Sequence, residues 1–342
     1  LRGVPAAPVV KADAYGLGAA RVGPALARAG AQSFFVAQID EGIALRKALA
    51  DDWPDAGIAV LVGPLPGAER DFLEHNLLPV LNSLEEVDRW RALAARDGRP
   101  LQALLHIDSG MSRLGLPPDE VDLLADDPGR LQGITLGCVM SHLACAEAAG
   151  NPMNRRQREA FVAVRARLPA APASLANSSG IFLGPDYHFD LARPGAALYG
   201  VNPTPTKPNP MVQVIRLQGK ILQARTIDAP QSVGYGAAHR ARAATRVATV
   251  GVGYADGYLR SLSNRGTAFI EGQRVAVIGR VSMDLITLDV TALPEQATRP
   301  GTLVELIDPE RGPDALAEQA GTIGYEILTA LGRRYHRIYL AD

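Results

Sequence analysis

Short apolar runs alternate with longer amphipathic stretches over the first two hundred residues. The runs are 9–12, 34–38, 59–63, 78–82, 103–108, 137–143, 174–179 and 191–200. They are rich in Val, Leu, Ile and Ala and show little two-residue alternation, as strands covered on both faces do. Between them lie helical stretches such as 41–50, 84–96 and 155–168. Ser83 with Glu86, and Asn154 with Gln157, have capping-box spacing at two helix starts. Eight runs with helices between them predict an α/β fold, a (β/α)8 TIM-type barrel. A doubly wound sheet is the alternative. The barrel is preferred because Lys11, Asp108, His142, Ser178 and Arg193 fall at the C-terminal ends of different runs. A barrel gathers such positions on one face, whereas an open sheet spreads them along an edge.

The pattern changes after 202–210, a segment with four prolines and no apolar periodicity that reads as a linker. Beyond it, 212–216, 220–225, 246–252, 274–279, 285–290 and 302–307 read as strands between Gly and Pro turns. Only 314–320 and 325–333 read as helices. The expected organisation is a barrel domain over 1–201, a Pro-rich linker over 202–210 and a mostly β domain, barrel or sandwich, over 211–342.

Composition narrows the partners. A chain of 342 residues exceeds what one core usually supports. A net charge of -1 with no basic block argues against nucleic acid and against an anionic membrane surface. No apolar run approaches the ~20 residues needed to span a bilayer, and the start, Leu1 rather than Met, lacks a signal-peptide pattern. A cytoplasmic enzyme is the expectation. Cys138 and Cys145 form no C-x-x-C pair, so reduced thiols and no metal site are expected.

The polar residues at the run ends carry the candidate chemistry. Lysine is rare here beside arginine, yet Lys11 directly follows an apolar run and precedes Ala-Asp-Ala-Tyr-Gly-Leu-Gly. A partly dehydrated amine at a barrel mouth has a lowered pKa and is suited to Schiff-base chemistry, although a single lysine beside a loop is more often a surface residue. Arg113, in His106-Ile-Asp-Ser-Gly-Met-Ser-Arg-Leu-Gly, offers a planar fork for a carboxylate or phenolate. Ser141-His142 and Ala176-Asn-Ser-Ser-Gly180 end the sixth and seventh runs. The small hydroxyl residues before glycine suit a phosphate, and barrels often bind phosphate in the last loops. Arg193-Pro-Gly-Ala, Gly251-Val-Gly-Tyr-Ala-Asp-Gly-Tyr258 and Gly279-Arg-Val-Ser-Met-Asp284 are turn-like stretches with polar groups, each weak alone.

Taken together, these segments resemble alanine racemase, a family of fold-type III pyridoxal phosphate (PLP) enzymes, in the same order over essentially the whole chain. Thr322-Ile-Gly-Tyr-Glu326 completes the series. The resemblance implies that Lys11 binds PLP covalently. Tyr15, Ser178, the backbone at Gly195 and Ala196, and Tyr325 would hold its phosphate. His142 would lie against the pyridine ring and support Arg193, which would contact the pyridine nitrogen. Arg113 and the Met283 backbone would hold the substrate carboxylate. Lys11 and Tyr254 would be two bases on opposite faces of the substrate, with Tyr254 supplied by the other subunit of a homodimer. The implied reaction interconverts L- and D-alanine (EC 5.1.1.1) and provides D-alanine for peptidoglycan. A tyrosine acting as a base near neutral pH needs positive charge beside it, since its ordinary pKa is about 10.

Three positions depart from the family pattern. His106 stands where several members carry a lysine, sometimes carbamylated, that buttresses the substrate arginine. Ser282 replaces a frequent cysteine, and Gly324 a frequent asparagine. Competing readings are a broad-specificity or serine racemase, an amino-acid decarboxylase and a non-catalytic PLP carrier. Decarboxylases generally place an acid at the pyridine nitrogen, where this chain has Arg193, and the carriers lack a second domain.

Overall fold

Parallel pairing organises the N-terminal half of the structure, a computed structural model that describes residue 1 and residues 3–340. The two final positions of the expected β domain lie outside the described residues. Six strands form one sheet in sequence order: β1 (Ser33–Val36), β2 (Gly57–Val60), β3 (Leu78–Leu81), β4 (Leu101–His106), β5 (Ile134–Met140) and β6 (Ala173–Ser174). Parallel bridges extend it at both edges, Val9 to Phe35 and Asn177 to Arg193, and a third joins Ala6 to Ala192. With the segments at Ala6–Val9 and Ala192–Arg193 added, eight staves close on themselves, which is the expected barrel. Most strand residues are buried, among them Phe34, Phe35, Ile58, Val80, Leu81, Leu105 and Val139. Burial on both faces explains why the runs lack alternation.

The helices start where local chemistry supplies an acceptor. Ser83 Oγ accepts the Glu86 N–H at 3.3 Å ahead of the helix Leu84–Asp97. Asn154 does not cap the next one. Asn151 does, accepting from the Met153 N–H at 3.0 Å, and Pro152 takes the first helical position. Proline there loses no hydrogen bond, so the helix Pro152–Arg165 starts three residues early and Asn154 is buried inside it.

The second half is antiparallel. Strands β7 (Leu217–Ile227), β10 (Thr245–Val250), β11 (Thr267–Ile270), β12 (Gln273–Val277), β13 (Ile286–Asp289) and β14 (Leu303–Ile307) close a barrel in the order β10-β13-β12-β11-β14-β7. A hairpin of β8 (Ser232–Val233) and β9 (His239–Arg240) stands apart from it. Ile221, Val250, Ile270, Ile286, Leu288 and Val304 fill its core. Of the two expected architectures, the barrel is the one formed. The stretch 212–216 is not a strand. Val212 and Val214 are 81% and 57% exposed and join no ladder, so their alternation with polar residues has no core to serve. By contrast, β11 went unforeseen because Thr-Ala-Phe-Ile is short and only Phe269 and Ile270 are large.

The chain divides into two compact units. One holds Leu1–Leu198 with Asn202–Pro210, the other Tyr199–Val201 with the chain from Met211 onward. Among the described residues no helix is long and apolar enough to cross a membrane.

Candidate active site

Lys11 leaves the barrel at a sharp corner. Val10 donates its N–H to the Phe35 carbonyl at 2.8 Å, and the chain then enters a left-handed turn, with φ of 52° to 55° from Ala12 to Tyr15. The Lys11 amine has a lowered pKa, through burial first and the charge of Arg113 second, against an opposing pull from Glu41. Neutral amine is therefore present at a lower pH than for an ordinary lysine, as a nucleophile or base requires.

Arg193 is the deepest cation of the site, 3% exposed. One Nη donates to the Ser141 carbonyl at 2.6 Å and to Nδ1 of His142 at 3.4 Å, and the other to Ser174 Oγ. Burial pulls its pKa down to about 10, so it stays charged near neutrality. No carboxylate pairs with it among the described residues. His142 is half-buried, and loss of hydration together with Arg193 holds its imidazole well below the usual range. A neutral ring accepts the Arg193 hydrogen bond. Gln157 steadies this corner by donating to the His142 carbonyl at 2.8 Å and to Ser109 Oγ at 3.3 Å.

The loop after β4 is built on one carboxylate. Asp108 Oδ1 accepts the N–H groups of Gly110 and Met111 at 2.8 Å and of Ser112 at 3.1 Å. That nest turns the chain so that Arg113 follows on the exposed side, unpaired among the described residues. His106 lies behind it, 8% exposed, its Nδ1 2.8 Å from Asn82 Oδ1. Burial and then Arg193 lower its pKa to about 4. Lys11, Arg113 and Arg193 thus gather with two neutral histidines and, among the described residues, no ion-paired carboxylate, an arrangement that favours an anionic ligand.

A small polar cradle lies where the last two staves end. Ser178 Oγ accepts the N–H groups of Gly195 at 2.8 Å and Ala197 at 3.2 Å, leaving its own proton without an acceptor among the described residues. The buried Ala196 N–H likewise finds none. A Cβ at Gly195 would overlap the Tyr15 hydroxyl, so only glycine lets that hydroxyl sit there. These donors suit a phosphate, which supplies acceptor oxygens alone.

The remaining sequence-predicted residues lie in the second unit. Tyr254 opens a short turn, Tyr254–Asp256, and is 43% exposed. The buried Asp256 carboxylate closes that turn by accepting the Gly253 N–H at 2.8 Å, and it is gripped by Arg334 at 2.8 and 3.1 Å. A Cβ at Gly253 would strike the Met283 carbonyl, which accepts the Ala255 N–H at 2.9 Å. Met283 is half exposed and its N–H has no partner among the described residues. Tyr325 lies in the first turn of the helix Gly324–Thr329, where Gly324 packs directly on the Asp314 carboxylate and a side chain would collide with it.

The first unit therefore brings together Lys11, Tyr15, Arg113, His142, Ser178, Arg193, Gly195 and Ala196. Sequence reasoning passed over Glu41, Asn82, Ser174 and Gln157. Asn82 carried a signal, since it ends a barrel run as Lys11 does. Gln157 lies mid-helix and carried none.

Residues 2–203 match the family model "Alanine racemase, N-terminal domain", and residues 214–339 match "Alanine racemase, C-terminal domain". An alanine racemase of Rhodospirillum rubrum is 55% identical over 98% of this chain and 89% of its own length. A catabolic alanine racemase of Mesorhizobium japonicum is 53% identical over 99% of this chain and 88% of its own. Among solved structures, alanine racemase from Bartonella henselae with covalently bound pyridoxal phosphate superposes with a TM-score of 0.94 at 40% identity, covering 99% of this chain and 93% of that one. The biosynthetic alanine racemase of Pseudomonas aeruginosa gives 0.90 at 33%, with the same coverage.

Proposed function

The chain belongs to the alanine racemase family and is a pyridoxal phosphate enzyme of the isomerase class, and from that premise we propose that it interconverts L- and D-alanine through Lys11 and Tyr254. The observation that carries this reading is the pairing of a low-pKa Lys11 amine with a buried Arg193, free of any carboxylate partner among the described residues, on one barrel mouth.

The cradle fits the cofactor's phosphate. The Ser178 proton and the Ala196 N–H lack acceptors among the described residues, and Gly195 keeps the Tyr15 hydroxyl in place. Tyr15, Ser178, Gly195, Ala196 and Tyr325 would hold that group. Bound PLP supplies an electron-accepting ring that makes the substrate's α-proton acidic enough to remove. Arg193, a donor only, would keep the ring nitrogen from taking up a proton, and His142 accepts a hydrogen bond from Arg193 at 3.4 Å. Lys11 would tether the cofactor at rest, and once the substrate's amino group displaces it the freed amine would take or return the α-proton on one face. Tyr254 does so on the other. Arg113 and the unpaired Met283 N–H hold the substrate carboxylate, which fixes the Cα–H bond between the two bases.

In this reading two copies of the chain share active sites, each supplying Tyr254 to the other. The enzyme is cytoplasmic and its D-alanine enters peptidoglycan. The boundaries proposed for its barrel, linker and β domain are 1–201, 202–210 and 211–342. Purified protein incubated with PLP should absorb in the band of a lysine-bound cofactor and racemise alanine. A Lys11→Ala protein with the same band would overturn the assignment. Steady-state rates on L-alanine against L-serine test the substrate, and a preference for serine would replace it.

A further inference from the structure

The turn after Lys11 runs against the preference of its own residues. Ala12, Asp13, Ala14 and Tyr15 have φ of 52°, 55°, 53° and 55°, and none is glycine, so each Cβ crowds its backbone. Four such residues in succession persist only where neighbouring structure over-determines them. Within the turn, Gly16 donates to the Ala12 carbonyl at 2.7 Å and Gly18 to the Asp13 carbonyl at 2.8 Å. Asp13 Oδ1 accepts the Ala19 N–H at 2.7 Å.

From outside the turn comes the side chain of Glu41, in the first turn of the helix Ile39–Leu49. Its Oε1 accepts the Ala12 N–H at 2.6 Å. Its Oε2 accepts the N–H groups of Ala37 at 2.7 Å and Gln38 at 3.1 Å. A single carboxylate thus joins the first amide after Lys11 to the end of strand β1. Three donors converge on it, and only a carboxylate accepts through both of its atoms. A glutamine would turn an NH2 group toward at least one of those N–H donors.

We propose that Glu41 is a positioning residue that holds this left-handed turn and so aims the Lys11 amine. The inference rests on the reading of Lys11 as the lysine that binds pyridoxal phosphate. Its charge has the second effect of opposing Arg113 at that amine.

The test loads wild type and Glu41→Gln with PLP and follows two signals, the absorbance of the lysine-bound cofactor and its loss on dialysis. Release about tenfold faster is expected, the factor carried by one charge-assisted hydrogen bond. Ala12→Gly is then added to Glu41→Gln. Glycine takes a positive φ freely, and Ala12 is exposed, so most of the retention should return. Wild-type retention in Glu41→Gln overturns the inference. A double variant no better than the single one overturns it as well, because charge alone then accounts for Glu41. A wild type that forms no adduct overturns the reading of Lys11 and this inference with it. Should Glu41→Gln not fold, Glu41→Asp keeps the charge but is a methylene short of bridging Ala12 and Ala37. Fast release is expected there too, and wild-type release overturns the proposal.

Discussion

Asn82 locks His106 in one tautomer. Its Nδ2 donates to the carbonyls of Leu61 at 3.1 Å and Val80 at 2.9 Å, which leaves Oδ1 to face Nδ1 of His106 at 2.8 Å. That nitrogen must carry the proton, so the neutral ring presents Nε2 as an acceptor. A lysine at this position would bring a titratable amine. His106 brings no charge near neutrality, and Arg113 is left without a buttressing anion among the described residues.

This pair makes stability depend on pH. Folding lowers the His106 pKa from 6.5 to about 4, so between those values the unfolded chain binds the proton and the folded one does not. The stabilisation is full above pH 6.5 and is lost as pH falls toward 4. His142 contributes with the same sign. The His106 share is about 3 kcal/mol over that interval, at ~1.4 kcal/mol per unit. Urea unfolding at pH 7.5 and 4.5 measures it, and His106→Gln should reduce the difference. An equal difference in that variant would show that His106 is not the group responsible.

The cradle predicts a clash that can be relieved. Gly195→Ala places a methyl on the Tyr15 hydroxyl. Overpacking of this kind costs about 1–3 kcal/mol. In a Tyr15→Phe background the obstructing oxygen is gone, and most of that loss should disappear. The readout is the melting temperature of the cofactor-free protein across the four-member cycle. Additive effects of the two substitutions would sink the argument, since only contacting residues couple strongly.

The role proposed for Arg193 predicts the fate of the substrate's charge. In the proposed role, a donor-only partner would leave the ring nitrogen unprotonated and less electron-withdrawing, which would disfavour proton return to the cofactor carbon. Arg193→Glu should therefore raise transamination per racemisation event. The measurement is pyruvate formed per alanine racemised, and an unchanged ratio refutes the role. The variant must also be folded, because it puts an acid among the Ser141 carbonyl, Ser174 and His142.

The barrel and its polar staves were legible because parallel strands announce themselves as unbroken apolar runs, with Lys11 and Ser178 near the ends of two of them, while Arg193 ends the short last stave. The turn after Lys11 was not. Ala-Asp-Ala-Tyr contains no glycine, so nothing local signals four positive φ values, and the carboxylate that holds them lies 29 residues further on. Distance hides the grip of Arg334 on Asp256 as well, 78 residues apart, although it fixes the turn that carries Tyr254. The opposite error arose at 212–216, where alternation imitates a strand that has no neighbour to pair with.

Tyr254 gives the sharpest test of two-base chemistry. The side chain is 43% exposed and its hydroxyl has no partner among the described residues. Removing that oxygen should leave stability within about 0.5 kcal/mol, as for other exposed positions. Turnover should nonetheless fall by about 10²–10⁴, the usual span for losing a positioned acid–base group. The fall must also be one-sided. With Lys11 intact, Tyr254→Phe should still exchange the α-proton of D-alanine with deuterated solvent, while exchange from L-alanine is lost. NMR of each enantiomer in D2O reads the two rates separately. If both survive, Tyr254 is not the second base. If both vanish while the cofactor band is unchanged, the phenol acts on a step common to both directions, and the division of labour with Lys11 is wrong.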